Sequence, residues 1–220
     1  MRKIKISEST EEIVVGNIFC IGRNYAEHAK EMQSDVPVNP MIFLKPSSSI
    51  ISDGDKIIFP KISKLLHHEV ELVVAIGKTA KHIPANQAKN HILGYAVGLD
   101  MTLRDLQNEA KKQGAPWTVA KGFTTSAPVS EIILDEKIKN PHDLTITCKV
   151  NGVIRQNGST SEMIFKIDKL IEYISSIFTL EAGDLIFTGT PAGVGEVKPG
   201  DIVEAELIGY TKISHPVIAA

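Results

Sequence analysis

His67-His68-Glu69-Val70-Glu71-Leu72-Val73-Val74-Ala75-Ile76-Gly77 sets two carboxylates two residues apart in a run that otherwise reads as a buried strand. In extended backbone, residues i and i+2 point to one face. Glu69 and Glu71 therefore project side by side, and Val70, Leu72, Val74 and Ile76 line the opposite face. The glutamate face continues into Val73 and Ala75, which are apolar, so it does not read as open to water. Adjacent anions repel and resist desolvation. Two readings stay open: a solvated strand face, or half of a site for a hard divalent cation, which prefers oxygen ligands.

Working outward, Ile92-Leu93-Gly94-Tyr95-Ala96-Val97-Gly98-Leu99-Asp100 reads as another buried strand, and it too ends in a carboxylate. Asp100 is either a third ligand or a turn or capping residue. Thr102 and Asp105 have capping-box spacing, Leu103, Leu106 and Ala110 follow at helical spacing, and Gly114 stops the helix. Upstream, Lys3 to Ile6 and Ile13 to Ile21 read as two strands, and Gly22-Arg23-Asn24 breaks the second. The segment Tyr25 to Met32 has good helix formers but is too short to be stable alone, which makes it a candidate lid. Strands are expected near Met41–Leu44 and Lys56–Phe59, and a short helix from Pro84 to His91.

The second half is β-rich. Asn151-Gly152 is a strong hairpin signal between Thr145–Val150 and Val153–Gln156, and Gln156 to Thr160 reads as a polar loop. Leu170, Ile171, Ile174, Ile177 and Phe178 mark one amphipathic helix. Strands at Asp184–Thr188, Ile202–Ile208 and Thr211–Val217 close the chain. There is no internal repeat or low-complexity tract, so residues 1–220 read as a single catalytic domain, with residues 1–40 a possible small N-terminal appendage that carries the lid.

Composition bounds the function. The chain has 220 residues, 43% of them hydrophobic, enough for a sizeable core without staples. Twenty-four basic and 26 acidic residues give a formal net charge of −2 with no block of like charge, so neither nucleic acid nor a membrane surface is an expected partner. Cys20 and Cys148 lack metal-ligand or redox spacing and read as reduced core thiols. With no signal-peptide pattern and no apolar span of about 18 residues, a soluble, cytoplasmic protein is expected.

Other residues carry weaker signals. His28 and Glu31, at i and i+3, would share one helical face as a His–carboxylate pair able to activate water, or simply form a surface pair. Lys121 is a lone cation in the apolar, strand-like run Trp117 to Phe123, so an anionic neighbour is implied, either a structural partner or a substrate. Gly189-Thr190-Pro191-Ala192-Gly193-Val194-Gly195 could cradle an anion on its amides or be a tight turn, and it matches no phosphate-loop or dinucleotide pattern. His67 and His68 are read as supporting or packing residues, because Mg²⁺-type sites take oxygen.

Taken together and in order, Gly22-Arg23-Asn24-Tyr25, Phe43-Leu44-Lys45-Pro46, His67 to Glu71, Leu99 to Asp105, Trp117 to Lys121 and Thr188-Gly189-Thr190-Pro191 resemble the fumarylacetoacetate hydrolase family. Chain size and the Arg-Asn-Tyr opening resemble its small single-domain branch, of acylpyruvase and oxaloacetate decarboxylase type. The resemblance implies an α+β, predominantly β fold, a mixed β-sheet roll with a few short helices, usually a homodimer. It implies Mg²⁺ or Mn²⁺ on Glu69, Glu71 and Asp100, a lid carrying His28 and Glu31 as the water-activating dyad, and Lys121 as the cation that meets developing negative charge. Arg23, Tyr25, Arg104, Gln107, Gly189 and Thr190 are the implied substrate-side residues.

The implied function is a metal-dependent enzyme that turns a 2-oxo acid into a pyruvate enolate, by hydrolysing acylpyruvates or decarboxylating oxaloacetate. Tautomerisation or isomerisation of oxaloacetate or a 2-hydroxy-dienoate is the alternative on the same core, since fold does not settle reaction. A non-catalytic metal-binding scaffold is the alternative of another class, and it would need neither the lid pair nor Lys121.

Overall fold

The computed structural model describes residues 1–31 and 37–220. The run that decides the fold crosses between two sheets. Leu66–His68 is the middle strand of a three-stranded sheet, between Thr102–Leu103 and Gly195–Val197. One residue later, Val70–Ile76 enters a six-stranded sheet in the order Ile133–Leu134, Ile92–Leu99, Val70–Ile76, Leu185–Phe187, Ile18–Gly22 and Met41–Lys45. Glu69 sits at the crossing.

Every residue of Val70–Ile76 is buried. Val70, Leu72, Val74 and Ile76 join the larger core, while Val73 and Ala75 join a second one with Ile18, Cys20, Leu185 and Phe187. A strand covered on both faces needs no polar alternation, which is why this one reads as continuous apolar sequence. Leu185–Phe187 runs parallel to Ile18–Gly22 and antiparallel to Val70–Ile76. Across from Glu71 stands Gly98, where a Cβ would lie 2.8 Å from both Phe187 and Val73.

A five-stranded sheet, in the order Val153–Ser159, Thr145–Val150, Ile202–Leu207, Thr211–Ala219 and Ile57–Phe59, packs on the larger core. The helix Ile167–Ile177 adds Ile167, Leu170, Ile171 and Ile174 to that core. The protein is α+β and predominantly β, with a few short helices. Cys20 and Cys148 are free and buried, and no helix among the described residues is long and apolar enough to cross a membrane.

Several local expectations change. The Ile13 to Ile21 run splits into Glu12–Val14 and Ile18–Gly22. Between them Gly16 N–H donates to Gly183 O (3.0 Å) and Asn17 N–H to Asp184 Oδ1 (2.6 Å), so this backbone pairs with a turn instead of a sheet neighbour. The capping box does not form: Thr102 is a strand residue paired with His67, and the Asp105 carboxylate accepts from Ser63 Oγ and Lys64 N–H. Lys121 ends a short helix, Thr118–Lys121, whose first turn closes as Lys121 N–H donates to Trp117 O (2.9 Å); it is not in a strand. The helix after Pro84 is a 3₁₀ helix, Ala85–His91.

The expected polar loop at Gln156 to Thr160 is instead the end of the strand Val153–Ser159. Its polar residues are tolerated because buried Gln156 finds partners on both sides, and Gly158 leaves room for Pro191, whose Cβ would lie 2.4 Å from a side chain there. Of the candidate lid, Ala26–Glu31 is a helix, and Met32 lies outside the described residues.

Candidate active site

Glu69, Glu71 and Asp100 converge because the strands that carry them are neighbours. Val70 faces Leu99 in the antiparallel ladder, and Asp100 N–H donates to Glu69 O (2.8 Å), which places Asp100 beside the glutamate pair. All three carboxylates are buried, and each offers an oxygen within 4.8 Å of the other two.

Three cations surround them. Arg104, at the start of the helix Arg104–Gln113, pairs with Glu69 Oε1. Lys121 Nζ donates to Glu69 Oε2 (2.7 Å), Asp100 Oδ2 (2.6 Å) and Thr102 Oγ1 (2.6 Å), which uses all three of its N–H bonds. Lys45 Nζ stands 2.8 Å from Asp100 Oδ1, yet that oxygen is buried and accepts no hydrogen bond. Lys45 donates instead to the main-chain oxygens of Lys121 and Ser126.

The electrostatics are uneven. Burial would raise the Glu69 carboxyl, but Lys121 and Arg104 outweigh it and hold Glu69 well below the usual range. Among the described residues Glu71 has only the Gly189 N–H (2.7 Å) as a partner; burial first, then repulsion from Asp100 and Glu69, pushes its carboxyl well above the usual range. Burial pulls the Lys121 ammonium down, and Asp100 and Glu69 more than restore it, so it stays charged. A donor set of carboxylate oxygens, one of them buried without a hydrogen bond and another left repelling its neighbours, fits a divalent cation.

These groups form the floor of a small cavity whose wall includes Arg23, His28, Phe43, Gln107, Lys111, Trp117 and Thr190. His28 is buried on Ala26–Glu31, and its Nδ1 lies 3.1 Å from Glu31 Oε2. Glu31 in turn accepts the Gly193 N–H at 3.1 and 3.2 Å. The helix Ala26–Glu31 is thereby fastened to the Gly189–Gly195 loop. Arg104 Nη1 donates to Gln107 Oε1 (2.5 Å), and among the described residues the Gln107 amide N–H bonds meet no acceptor.

The structure thus brings Arg23, His28, Glu69, Glu71, Asp100, Arg104, Gln107, Lys121 and Thr190 around one cavity. Glu31 acts on it through His28, and Gly189 through its N–H to Glu71. Tyr25 is not brought there: it is buried, its hydroxyl has no partner among the described residues, and it does not line the cavity. Tyr25 follows the break at Gly22 and packs into the larger core.

Three residues escaped the sequence reading. Lys45 ends the apolar run Met41 to Leu44, and the lone-cation argument applied to Lys121 would have found it. Gln156 Oε1 accepts from Val70 N–H (3.0 Å) and pairs with His68 Nδ1 (2.9 Å), while Nε2 donates to Thr190 Oγ1 and Pro191 O, both at 2.8 Å. Burial lowers the His68 imidazole, keeping it neutral as a support and not a charge. Lys111 faces the cavity with no sequence signal beyond its helical spacing from Arg104 and Gln107.

Residues 17–218 match the family model described as fumarylacetoacetate (FAA) hydrolase C-terminal. The mitochondrial oxaloacetate tautomerase of Mus musculus is 51% identical over 201 residues, 91% of this chain and 91% of that protein. The crystal structure of fumarylpyruvate hydrolase from Pseudomonas aeruginosa in complex with Mn²⁺ and pyruvate superposes with a TM-score of 0.96 at 36% identity, covering 100% of this chain and 96% of that one. The 5-carboxymethyl-2-hydroxymuconate delta-isomerase from Mycobacterium smegmatis gives 0.85 at 39% identity, over 94% of this chain and 80% of that one.

Proposed function

The chain belongs to the fumarylacetoacetate hydrolase family, and from that premise we propose that it interconverts the enol and keto forms of a 2-oxo acid of the oxaloacetate type. One observation carries the chemistry: Lys121 and Arg104 are tied to carboxylates, whereas His28 meets Glu31 alone among the described residues and is free to move a proton, and the 51% identity to an oxaloacetate tautomerase favours tautomerisation. Tautomerisation needs one proton moved between carbon and oxygen.

Glu69, Glu71 and Asp100 would hold the divalent cation, Mg²⁺ or Mn²⁺, which when bound supplies Lewis-acid polarisation of the C2 oxygen. Glu31 accepts the Nδ1 proton of His28 and so leaves Nε2 as the basic nitrogen. That nitrogen takes a proton from C3 and releases it to the enolate oxygen or to water. Lys121 keeps the carboxylate cluster from repelling an anionic enolate, and Arg104, Gln107 and Thr190 orient the acid.

Hydrolysis of an acylpyruvate is the second reading, favoured by the fit to a fumarylpyruvate hydrolase and by the same dyad, which could deprotonate water instead. The test follows enol absorbance of oxaloacetate with and without Mg²⁺, beside product release from oxaloacetate, acetylpyruvate and fumarylpyruvate. Metal-dependent loss of enol, reduced about 100-fold or more in His28→Asn, is expected. Cleavage of an acylpyruvate without enol–keto acceleration would replace this reading with the second, and activity that survives chelation would end both.

A further inference from the structure

Arg104, Gln107 and Lys111 stand at i, i+3 and i+7 on the helix Arg104–Gln113, and all three reach the same cavity. Arg104 and Gln107 are buried and committed at its floor; Lys111 is half-buried, higher on the wall, with Nζ 5.3 Å from the centre of the Trp117 ring. Arg23 faces the same space from the turn before the lid, and holds a left-handed backbone, φ 60°, that a non-glycine residue adopts at a cost.

Neither Lys111 nor Arg23 has a carboxylate partner among the described residues. Lys45, Arg104 and Lys121 already equal the three carboxylates of the floor in number, all three bound to Glu69 and Asp100. Among the described residues, Lys111 and Arg23 are therefore two positive charges beyond that balance at the cavity. Burial, and then Arg104 and Arg23, press the Lys111 ammonium below its ordinary range. Cations gathered against mutual repulsion and partly out of water mark a place for an anion.

We propose that Lys111, with Arg23 beside it, forms a subsite for the distal carboxylate of a dicarboxylic 2-oxo acid. The subsite rests on the reading of the cavity as a 2-oxo acid site and sharpens it, because it selects dianions over monoanions that share the same 2-oxo head. Lys111 is a binding residue here, and the reacting atoms lie below it. Arg104 and Gln107 serve the end of the substrate nearest the three carboxylates.

Trp117, the only tryptophan of the chain, lies under Lys111 and lines the cavity, so its fluorescence reports binding without turnover. Oxaloacetate and pyruvate share the 2-oxo carboxylate and differ by one distal carboxylate, which makes them the probes. With Mg²⁺ present, stopped-flow titration of the wild type should show tighter binding of oxaloacetate. Lys111→Met keeps the stem over the ring; it should weaken oxaloacetate about tenfold, roughly 1.4 kcal/mol, and pyruvate less than twofold. Lys111→Arg should restore most of the difference.

Equal losses for both acids, or none for oxaloacetate, overturn the subsite while pyruvate binding leaves the 2-oxo acid reading standing. If neither acid binds the wild type, that reading falls and the subsite falls with it.

Discussion

Gln156 uses every hydrogen-bonding position of its amide, and one of them decides what Thr190 can do. Thr190 Oγ1 accepts from Gln156 Nε2 (2.8 Å), so its single proton is left to point into the cavity that Thr190 lines. Gln156→Glu is isosteric and removes the donor: the Thr190 hydroxyl would turn to donate to the new carboxylate, and Pro191 O would lose its partner. The orphaned carbonyl should lower stability by about 1–3 kcal/mol. The turned hydroxyl should raise KM by about tenfold, the worth of one hydrogen bond to a charged group. In a Thr190→Val background, Gln156→Glu should barely change KM; an undiminished KM penalty there would show that hydroxyl direction is not what Gln156 sets. None of this was legible in Gln156-Asn157-Gly158-Ser159-Thr160, whose composition is that of a loop. The Glu69-x-Glu71 pair was legible because its conflict, adjacent charges in an apolar strand, lies within five consecutive residues. The partners of Gln156 come from two distant segments, and spacing along the chain carries no trace of them.

The candidate lid is an element that depends on another element. Ala26–Glu31 has six residues, too few to hold a helix on propensity alone. It is fixed by Ala29 and Tyr25 in the core and by Glu31 on the Gly193 N–H. Gly193 has φ 96°, and a Cβ there would lie 2.2 Å from Arg155 O, so Gly193→Ala must shift the loop. The loss of the N–H from Glu31 should cost proton transfer about tenfold or more, since a freed Glu31 no longer fixes the His28 tautomer. Combined with Glu31→Ala, the loop variant should do little further harm to kcat; additive losses would mean that the latch does not act through Glu31. Elements were legible where local signals agreed, as in the Asn151-Gly152 hairpin and the Ile167–Ile177 helix. They were misread where a long-range partner overrode the local pattern: Asp184 divides the Ile13 to Ile21 run, and Ser63 with Lys64 claims the Asp105 carboxylate that the capping box required.

At the scale of the whole molecule, folding removes several imidazoles from water and so ties stability to pH. His215 is enclosed in the five-stranded sheet: its Nδ1 pairs with Asp55 O (2.8 Å), and its Nε2 is buried with no partner among the described residues. Protonating Nε2 would strand a charge, so burial holds His215 below its ordinary value of 6.5. Burial acts likewise on His142 and His68, and burial followed by the Arg104 charge lowers His67 to about 4. The sign follows directly. Below pH 6.5 the unfolded chain binds protons that the folded chain refuses, so the stabilisation is complete above pH 6.5 and is lost as pH falls toward the folded values. Glu71 acts in reverse, because its raised carboxyl stabilises the fold below pH 4.5 and that contribution fades as pH rises through its folded value. The imidazoles outnumber it, so Tm should fall between pH 7 and pH 5. His215→Gln can still donate to Asp55 O but has no imidazole to protonate. It should flatten the dependence by nearly one proton, about 1.4 kcal/mol per pH unit, in calorimetric scans across that range. Parallel curves for the wild type and His215→Gln would mean that His215 takes up its proton inside the fold, and the slope would then have to come from the imidazoles beside the cavity.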